Sequence, residues 1–144
     1  MKPNLLFGFV FFWFASLCNA QIEQIDVRHY KIDLSVNDIS DTIKVSETIS
    51  FSHLNRNKPI VFNLKSINTD GNGMFVSSVS HKEEELKFSH RNDSLYVFVN
   101  IPSENNYYEL NISFKGVTID GLVIGENKNG KRTFFGDNWP NRAH

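Results

Sequence analysis

The chain has 144 residues, of which 40% are hydrophobic and 22% are charged, and its formal net charge is −1. This length and composition are typical of one globular domain. Because the charges are mixed in sign, the sequence disfavours partners that are bound through a basic field, such as nucleic acid or an anionic membrane surface.

The first 20 residues have the layout of a secretory signal peptide. Lys2 supplies the positive charge, and residues 5–17 form an apolar run with one Gly and one Ser. Cys18 and Ala20 then place small residues at the −3 and −1 positions of a cleavage site before Gln21. We therefore expect export to the periplasm or the extracellular space, with a domain formed by residues 21–144.

Two other interpretations of this N-terminal segment are less well supported. The apolar run is short for a helix that crosses a bilayer, which disfavours a membrane anchor. Cys18 could be acylated in a lipoprotein, but Leu17 is a poor residue for the position before such a cysteine. Cleavage before Gln21 removes the single cysteine, so the exported domain is expected to fold without a disulfide.

The rest of the chain alternates apolar and polar residues with a period of two. This pattern predicts strands with one face in a core and the other in solvent. In the second run Glu47 interrupts the apolar series. The alternating runs cover residues 30–36, 43–51, 60–64, 95–99 and 108–114.

Turn-forming residues separate these runs at a spacing of roughly ten residues, which favours an antiparallel sandwich or barrel. Asn129 and Gly130 form the sharpest hairpin signal, because both residues tolerate positive φ. Pro59 and Pro102 are expected at strand starts or edges. The predicted turns lie at residues 68–73, 82–85, 91–93, 103–106, 115–116 and 126–131. We predict an all-β antiparallel β-sandwich.

No catalytic or metal-binding motif stands out. No histidine begins a His-Glu-x-x-His run, so we predict that the histidines are surface or partly buried strand residues and that the chain holds no metal. The serines lack the Gly-x-Ser-x-Gly context of a nucleophile elbow, so no catalytic residue is predicted. The five histidines are His29, His53, His81, His90 and His144.

Two acidic or Asn-rich segments have plain structural interpretations. Residues 68–73 imitate the start of a calcium loop, but position twelve would be Val79, and a Gly/Asn-rich hairpin loop fits better. The run Glu83, Glu84 and Glu85 is expected to be a solvated hairpin tip. Asn92 and Asn111 begin sequons that matter only if the host glycosylates.

The C-terminal part carries a family resemblance. The stretch "LNISFKGVTIDGLVIGENKNGKRTFFGDNWPNRAH" resembles the N-terminal domain of the aminopeptidase N family of zinc metallopeptidases. The opening "DVRHYKIDLSV" is similar to the first strand of that domain, and residues 135–143 look like a segment of one secreted branch. The matching positions are Leu110, Ile112, Phe114, Gly116, Gly121, Leu122, Phe134 and Phe135.

The resemblance implies a saddle-like sheet and a role as the non-catalytic leading domain of an exported, zinc-dependent aminopeptidase that acts on peptides. The zinc would belong to the parent enzyme, because this chain lacks His-Glu-x-x-His, Gly-x-Met-Glu-Asn and a downstream zinc Glu. Whether the chain is itself an enzyme stays open. Its expected partners are the catalytic domain and the peptide substrate, with no nucleic acid and no membrane beyond the signal peptide.

The resemblance also implies two sets of site residues near the C-terminus. Asp137, Asn138 and Trp139 occupy the segment that lies near the substrate amine in relatives, although their residue types differ from the family's. An interface with the catalytic domain is expected to use Phe134, Phe135, Trp139 and Pro140.

Three alternatives remain open at this point. The aromatic residues could fold back on the open end of the sandwich. The chain could instead be a free-standing secreted β-sandwich that binds a peptide or a protein by strand addition or by one face. It could also be a truncated product without a function.

Overall fold

A computed structural model describes residues 25–53, 58–99 and 107–137. These residues form ten β-strands and no helix. The strands are β1 (Ile25–Ser35), β2 (Thr42–His53), β3 (Ile60–Asn63), β4 (Gly73–His81), β5 (Glu84–Glu85), β6 (Lys87–Arg91), β7 (Ser94–Phe98), β8 (Tyr107–Val117), β9 (Gly121–Glu126) and β10 (Arg132–Asp137). Over the same three ranges, no helix is long and apolar enough to cross a membrane.

The strands pair antiparallel in three sheets. The largest has five strands in the order β1-β2-β8-β4-β5, the second has three in the order β3-β7-β6, and the third is the β9–β10 hairpin. The predicted all-β, antiparallel fold class is therefore confirmed. The signal peptide and the predicted turn at residues 103–106 lie outside the described residues.

The main core lies between the five-stranded and the three-stranded sheets. The period of two in β2 and β8 directs alternate apolar side chains to one face, here called the inner face. Phe51 and Tyr108 are opposite each other in register and stack with ring centroids 5.8 Å apart. The buried members of this cluster are Ile49, Phe51, Ile60, Val76, Val79, Leu86, Leu95, Val97, Val99, Tyr108, Leu110 and Ile112.

A second, smaller cluster lies farther along the same inner face. Its buried members are Ile43, Val45 and Met74, and Leu122 and Ile124 of β9 pack against it. The β9–β10 hairpin therefore covers a second part of the inner face, next to the part that the three-stranded sheet covers.

A β-bulge keeps the apolar side chains of β1 on the inner face. Val27 is opposite Phe51, the register shifts between Val27 and His29, and Tyr30 is then opposite Ile49. Without the extra residue, the apolar positions after the bulge would point to the outer face of the sheet.

Several predicted turns are confirmed. Residues 82–83 and 92–93 have positive φ and join β4 to β5 and β6 to β7. Glu83, Glu84 and Glu85 are exposed, as expected of a hairpin tip. Pro59 directly precedes β3, as predicted for a strand start.

One predicted turn is absent, and one is present but connects different strands from those of a hairpin. Lys115 and Gly116 lie inside β8, where a Cβ on Gly116 would overlap the carbonyl oxygen of Gly73. That glycine permits close approach of two strands and does not form a turn. The loop at residues 68–72 joins strands of two different sheets and is not a hairpin loop, although Asn68 Oδ1 does accept hydrogen bonds from two backbone N–H groups within it.

Candidate functional site

The β9–β10 hairpin carries the described part of the predicted interface. Phe134 is opposite Ile124, and Phe135 is opposite Val123. Because opposite residues in an antiparallel pair share a face, Phe134 lies on the same side as Ile124, toward the sandwich. Phe135 and Val123 lie on the other side.

The inward side of the hairpin is anchored by apolar packing and by an ion pair. Leu122 and Ile124 pack on the second cluster, and Arg132 forms an ion pair with Asp41, next to the start of β2. Thr118 Oγ1 also donates a hydrogen bond of 2.7 Å to the Leu122 carbonyl. These contacts hold the hairpin against the five-stranded sheet.

The loop of the hairpin is organised by Asn127. Its Oδ1 accepts hydrogen bonds from the backbone N–H groups of Asn129 (2.9 Å) and Lys131 (3.0 Å). The predicted hairpin is thus confirmed, with positive φ at Gly130 in its loop. Two backbone hydrogen bonds close the same loop, from the Asn127 N–H to the Lys131 carbonyl (2.8 Å) and from the Gly130 N–H to the Asn127 carbonyl (2.9 Å).

The outward side of the hairpin presents apolar side chains to solvent. Phe135 is 54% exposed and Val123 is 39% exposed. A Cβ on Gly125, the next residue on this side, would have no neighbour within 4 Å. We call Val123 and Phe135 the hairpin face. The exposure of these two neighbouring apolar side chains makes this face the candidate interface.

The remaining predicted site residues are described only in part. The backbone of Asp137 pairs with Gly121 at the end of β10. Asn138, Trp139 and Pro140 lie outside the described residues. Their assignment to the substrate-amine vicinity and to the interface, like that of Phe134 and Phe135, stays a prediction.

Two histidines differ from the sequence prediction. His53 and His81 are buried, with 1% and 4% exposure, and both rings lie about 6 Å from the ring of Tyr108. They are buried because they take inner-face positions at the ends of β2 and β4, beside the core residue Tyr108. His81 Nδ1 donates to the Glu109 carbonyl at 2.7 Å. Neither ring nitrogen of His53 has a partner among the described residues, and burial lowers the pKa of His53.

These histidines do not form a metal centre with their surroundings. In the three described ranges, no group of three or more His, Cys, Asp or Glu side chains is placed to hold a metal ion. A structural or catalytic zinc site needs three or four such ligands. The described residues therefore do not fit the zinc that the family resemblance implies for the parent enzyme.

One carboxylate, which interrupts the apolar series of β2, lies at a position where the neighbouring residues of the series are buried. Glu47 lies on the inner face, in register with Ile32 of β1 and Ile112 of β8. Burial raises the pKa of Glu47, and burial together with this carboxylate raises the pKa of Tyr30. The sequence did indicate this half-buried carboxylate, because Glu47 takes an apolar position of the alternating series.

The sequence has no match among protein-family models, and none among curated proteins. Solved structures do match its fold. An M1 zinc metallopeptidase from Deinococcus radiodurans matches with a TM-score of 0.51 and 18% identity over 66% of this chain. A mutant of that enzyme bound to a Tyr-Ser-Ala substrate matches with a TM-score of 0.51 and 17% identity over 72% of this chain. The yeast LTA4 hydrolase matches with a TM-score of 0.61 and 22% identity over 84% of this chain.

These matches confirm the predicted resemblance to the zinc aminopeptidase family as a likeness of fold. The match covers only 21%, 22% and 20% of those three chains, respectively. The present chain therefore spans about a fifth of the length of the enzymes that it resembles.

Proposed function

We propose that this chain is a non-catalytic domain of an exported zinc aminopeptidase, and that it borders the cleft in which the peptide substrate binds. The observation that carries the proposal is the asymmetry of the structural match. In the yeast LTA4 hydrolase the match takes in 84% of this chain but 20% of the enzyme. A fold that is one part of several larger zinc metallopeptidases is most simply a part of such an enzyme here too.

The proposal assigns the zinc and the catalytic groups to another part of the parent enzyme. In zinc peptidases, the metal activates a water molecule and polarises the scissile carbonyl. The described residues offer no ligand set for such a metal. What this chain supplies is an anchored hairpin whose apolar outward side, Val123 and Phe135, packs against the zinc-bearing domain.

The family resemblance suggests which residues of this chain would lie near the cleft. Asp137 ends β10 two residues after Phe135, and Asn138 and Trp139 follow directly. In the chain, all three residues lie within four positions of Phe135. We therefore propose that they lie near the amine of a bound peptide, as the family resemblance implies.

The first experiment isolates the native polypeptide from its source with an antibody raised against this chain. We expect a polypeptide much longer than 144 residues that contains zinc, hydrolyses aminoacyl anilides and loses this activity with a chelator. Capture of a polypeptide of this length alone, without zinc or activity, would overturn the proposal. The purified chain by itself is expected to show no hydrolysis and no stoichiometric zinc, as measured by elemental analysis.

A second experiment tests the hairpin face within that longer enzyme. Phe135→Asp is expected to lower aminopeptidase activity and to promote separation of the domains during limited proteolysis. Phe75→Asp is a matched control, because Phe75 is 53% exposed and lies on the outer face of β4, whereas Phe135 is 54% exposed. Equal behaviour of the two variants would show that the hairpin face is not the interface.

One observation favours the alternative of a free-standing binding module. β1 is an edge strand with unpaired backbone groups among the described residues, which suits the addition of a peptide strand. The antibody experiment separates the two functions, because a binding module would be captured at the length of this chain together with a bound partner.

A further inference from the structure

The edge of the five-stranded sheet is formed by a long strand. β1 contains 11 residues and pairs on one side with β2. Within residues 25–53, 58–99 and 107–137, no strand pairs with its other side. A long edge strand presents a row of free N–H and C=O groups and is a template for pairing with another chain.

The two faces of β1 after the bulge differ sharply in character. On the inner face, Tyr30, Ile32 and Leu34 are 46%, 59% and 50% exposed. On the outer face, Lys31 and Asp33 form an ion pair of 3.4 Å with both side chains well exposed. The strand therefore offers an apolar stripe, and beside it two opposite charges two residues apart.

We propose that β1 pairs antiparallel with β1 of a second copy of this chain, about a twofold axis that passes through Ile32. The pairing joins the two five-stranded sheets into one continuous sheet. It is isologous, so the same strand serves as both partners. The inference does not depend on the proposed aminopeptidase role.

The register follows from the alternation and from the charges. Opposite residues in an antiparallel pair lie on the same face, so the inner stripes of the two copies stay continuous only when the axis passes through a residue. An axis at Lys31 or at Asp33 would place like charges opposite each other. An axis at Tyr30 would place Lys31 opposite His29, and an axis at Leu34 would place Asp33 opposite Ser35. In both registers, neither Lys31 nor Asp33 would face a residue of opposite charge. Only the axis at Ile32 places Lys31 opposite Asp33 of the second copy, twice.

The same register is favourable on the inner face. Ile32 is opposite Ile32 of the second copy, and Tyr30 is opposite Leu34 of the second copy. Aromatic–aliphatic and β-branched cross-strand pairs are among the stabilising pairs of antiparallel sheets. The apolar stripes of the two copies thereby lie side by side on one face of the joined sheet. The side chains of each copy contact those of the other across the new strand pair.

The test begins with the oligomeric state of the exported chain, measured by sedimentation equilibrium over a concentration series. We expect a dimer for the wild type. Lys31→Asp and Asp33→Lys should each raise the dimer dissociation constant at least about tenfold, because both symmetry-related pairs become repulsive. A one-to-one mixture of the two variants should restore the dimer, since each charge then meets an opposite charge.

A cross-link reports the register directly. In the proposed pairing, the two Ile32 Cα atoms are about 4.5–5.5 Å apart, which is within reach of a disulfide. In the chain of residues 21–144, which has no cysteine of its own, Ile32→Cys is expected to form a covalent dimer on mild oxidation. Tyr30→Cys is the matched control, because residue 30 is opposite residue 34 and its two copies are too far apart to be linked.

The outcomes are decisive in both directions. A wild-type dimer that is weakened by each charge variant, is restored in the mixture and is linked through residue 32 supports the proposal. A monomer at every concentration overturns it and leaves β1 free for a different polypeptide. A dimer that is insensitive to the charge variants, or is disrupted by Phe135→Asp instead, shows that another surface mediates association.

Discussion

Replacement of Glu47 by leucine should stabilise this chain, although it removes a residue in the middle of a sheet. Glu47 lies on the inner face between Ile32 and Ile112, in a strand whose inner-face neighbours Val45 and Ile49 are buried. Burial raises the pKa of Glu47, which means that the folded state disfavours its charged form. At neutral pH the carboxylate therefore opposes folding.

The size of the gain follows from the burial of this site. A fully buried leucine side chain contributes about 2 kcal/mol, and the Glu47 position is about half buried, so the leucine should contribute about 1 kcal/mol. Removal of the desolvated charge adds to this value at neutral pH. We expect the free energy of unfolding to rise by about 1 kcal/mol or more.

The pH dependence identifies the cause. A carboxyl group with a raised pKa in the folded state contributes stability that is present below the unfolded pKa of about 4.5 and is lost as pH rises through the folded pKa. The advantage of Glu47→Leu over the wild type should therefore be largest near pH 7 and should shrink near pH 4. A gain from apolar burial alone would not change with pH.

Urea unfolding followed by circular dichroism, at both pH values, measures this effect. Glu109→Leu is the matched control, because Glu109 lies on β8 in the same sheet but is exposed on the outer face. The control introduces the same change in strand propensity without the burial. The reasoning is refuted if Glu47→Leu lowers stability, if Glu109→Leu gains as much, or if the gain is independent of pH.

Three other substitutions test the described packing. Burial lowers the pKa of His53, so folding stability should fall as pH drops below about 6.5, and His53→Phe should reduce this fall in urea unfolding at pH 7.5 and 5.5. Phe51→Ala should lower the free energy of unfolding by about 3–5 kcal/mol in urea titrations, whereas Phe75→Ala, at an exposed position, should change it by less than about 0.5 kcal/mol. Gly116→Ala should lower the thermal midpoint markedly, because its Cβ would overlap a carbonyl oxygen of β4, whereas Gly125→Ala meets no neighbour and should leave the midpoint nearly unchanged.

Sequence alternation identified five of the strands, four of which contribute buried residues to the main core, but not β4, which also contributes. The runs at residues 30–36, 43–51, 60–64, 95–99 and 108–114 correspond to β1, β2, β3, β7 and β8. In β2, β3, β7 and β8, one face of the strand is buried or half-buried, and this burial imposes the period of two. In β1 the same period marks an apolar stripe that stays exposed. The all-β fold class and the likeness to zinc aminopeptidases also came from sequence.

The strands that the alternation did not reveal are those whose pairing interrupts it. β4 has a bulge between Val76 and Ser78, so its inner-face residues change from even to odd positions. The hairpin of β9 and β10 has apolar residues on both of its sides, and glycines at residues 121, 125 and 136 weaken the alternation further. A search for a period of two does not recognise a strand in which a bulge shifts the register by one residue.

Other features were decided only by contacts between segments that are far apart in sequence. Gly116 resembles a turn residue in the sequence, but the close approach of Gly73 makes it a strand residue. His53 and His81 resemble surface histidines, but both lie beside Tyr108 in the core. Local sequence determines which face of a strand is apolar, whereas tertiary packing determines which part of that face is covered. On the inner face of the five-stranded sheet, the part that other strands cover forms the buried core. The part on β1 that no described strand covers is the exposed stripe.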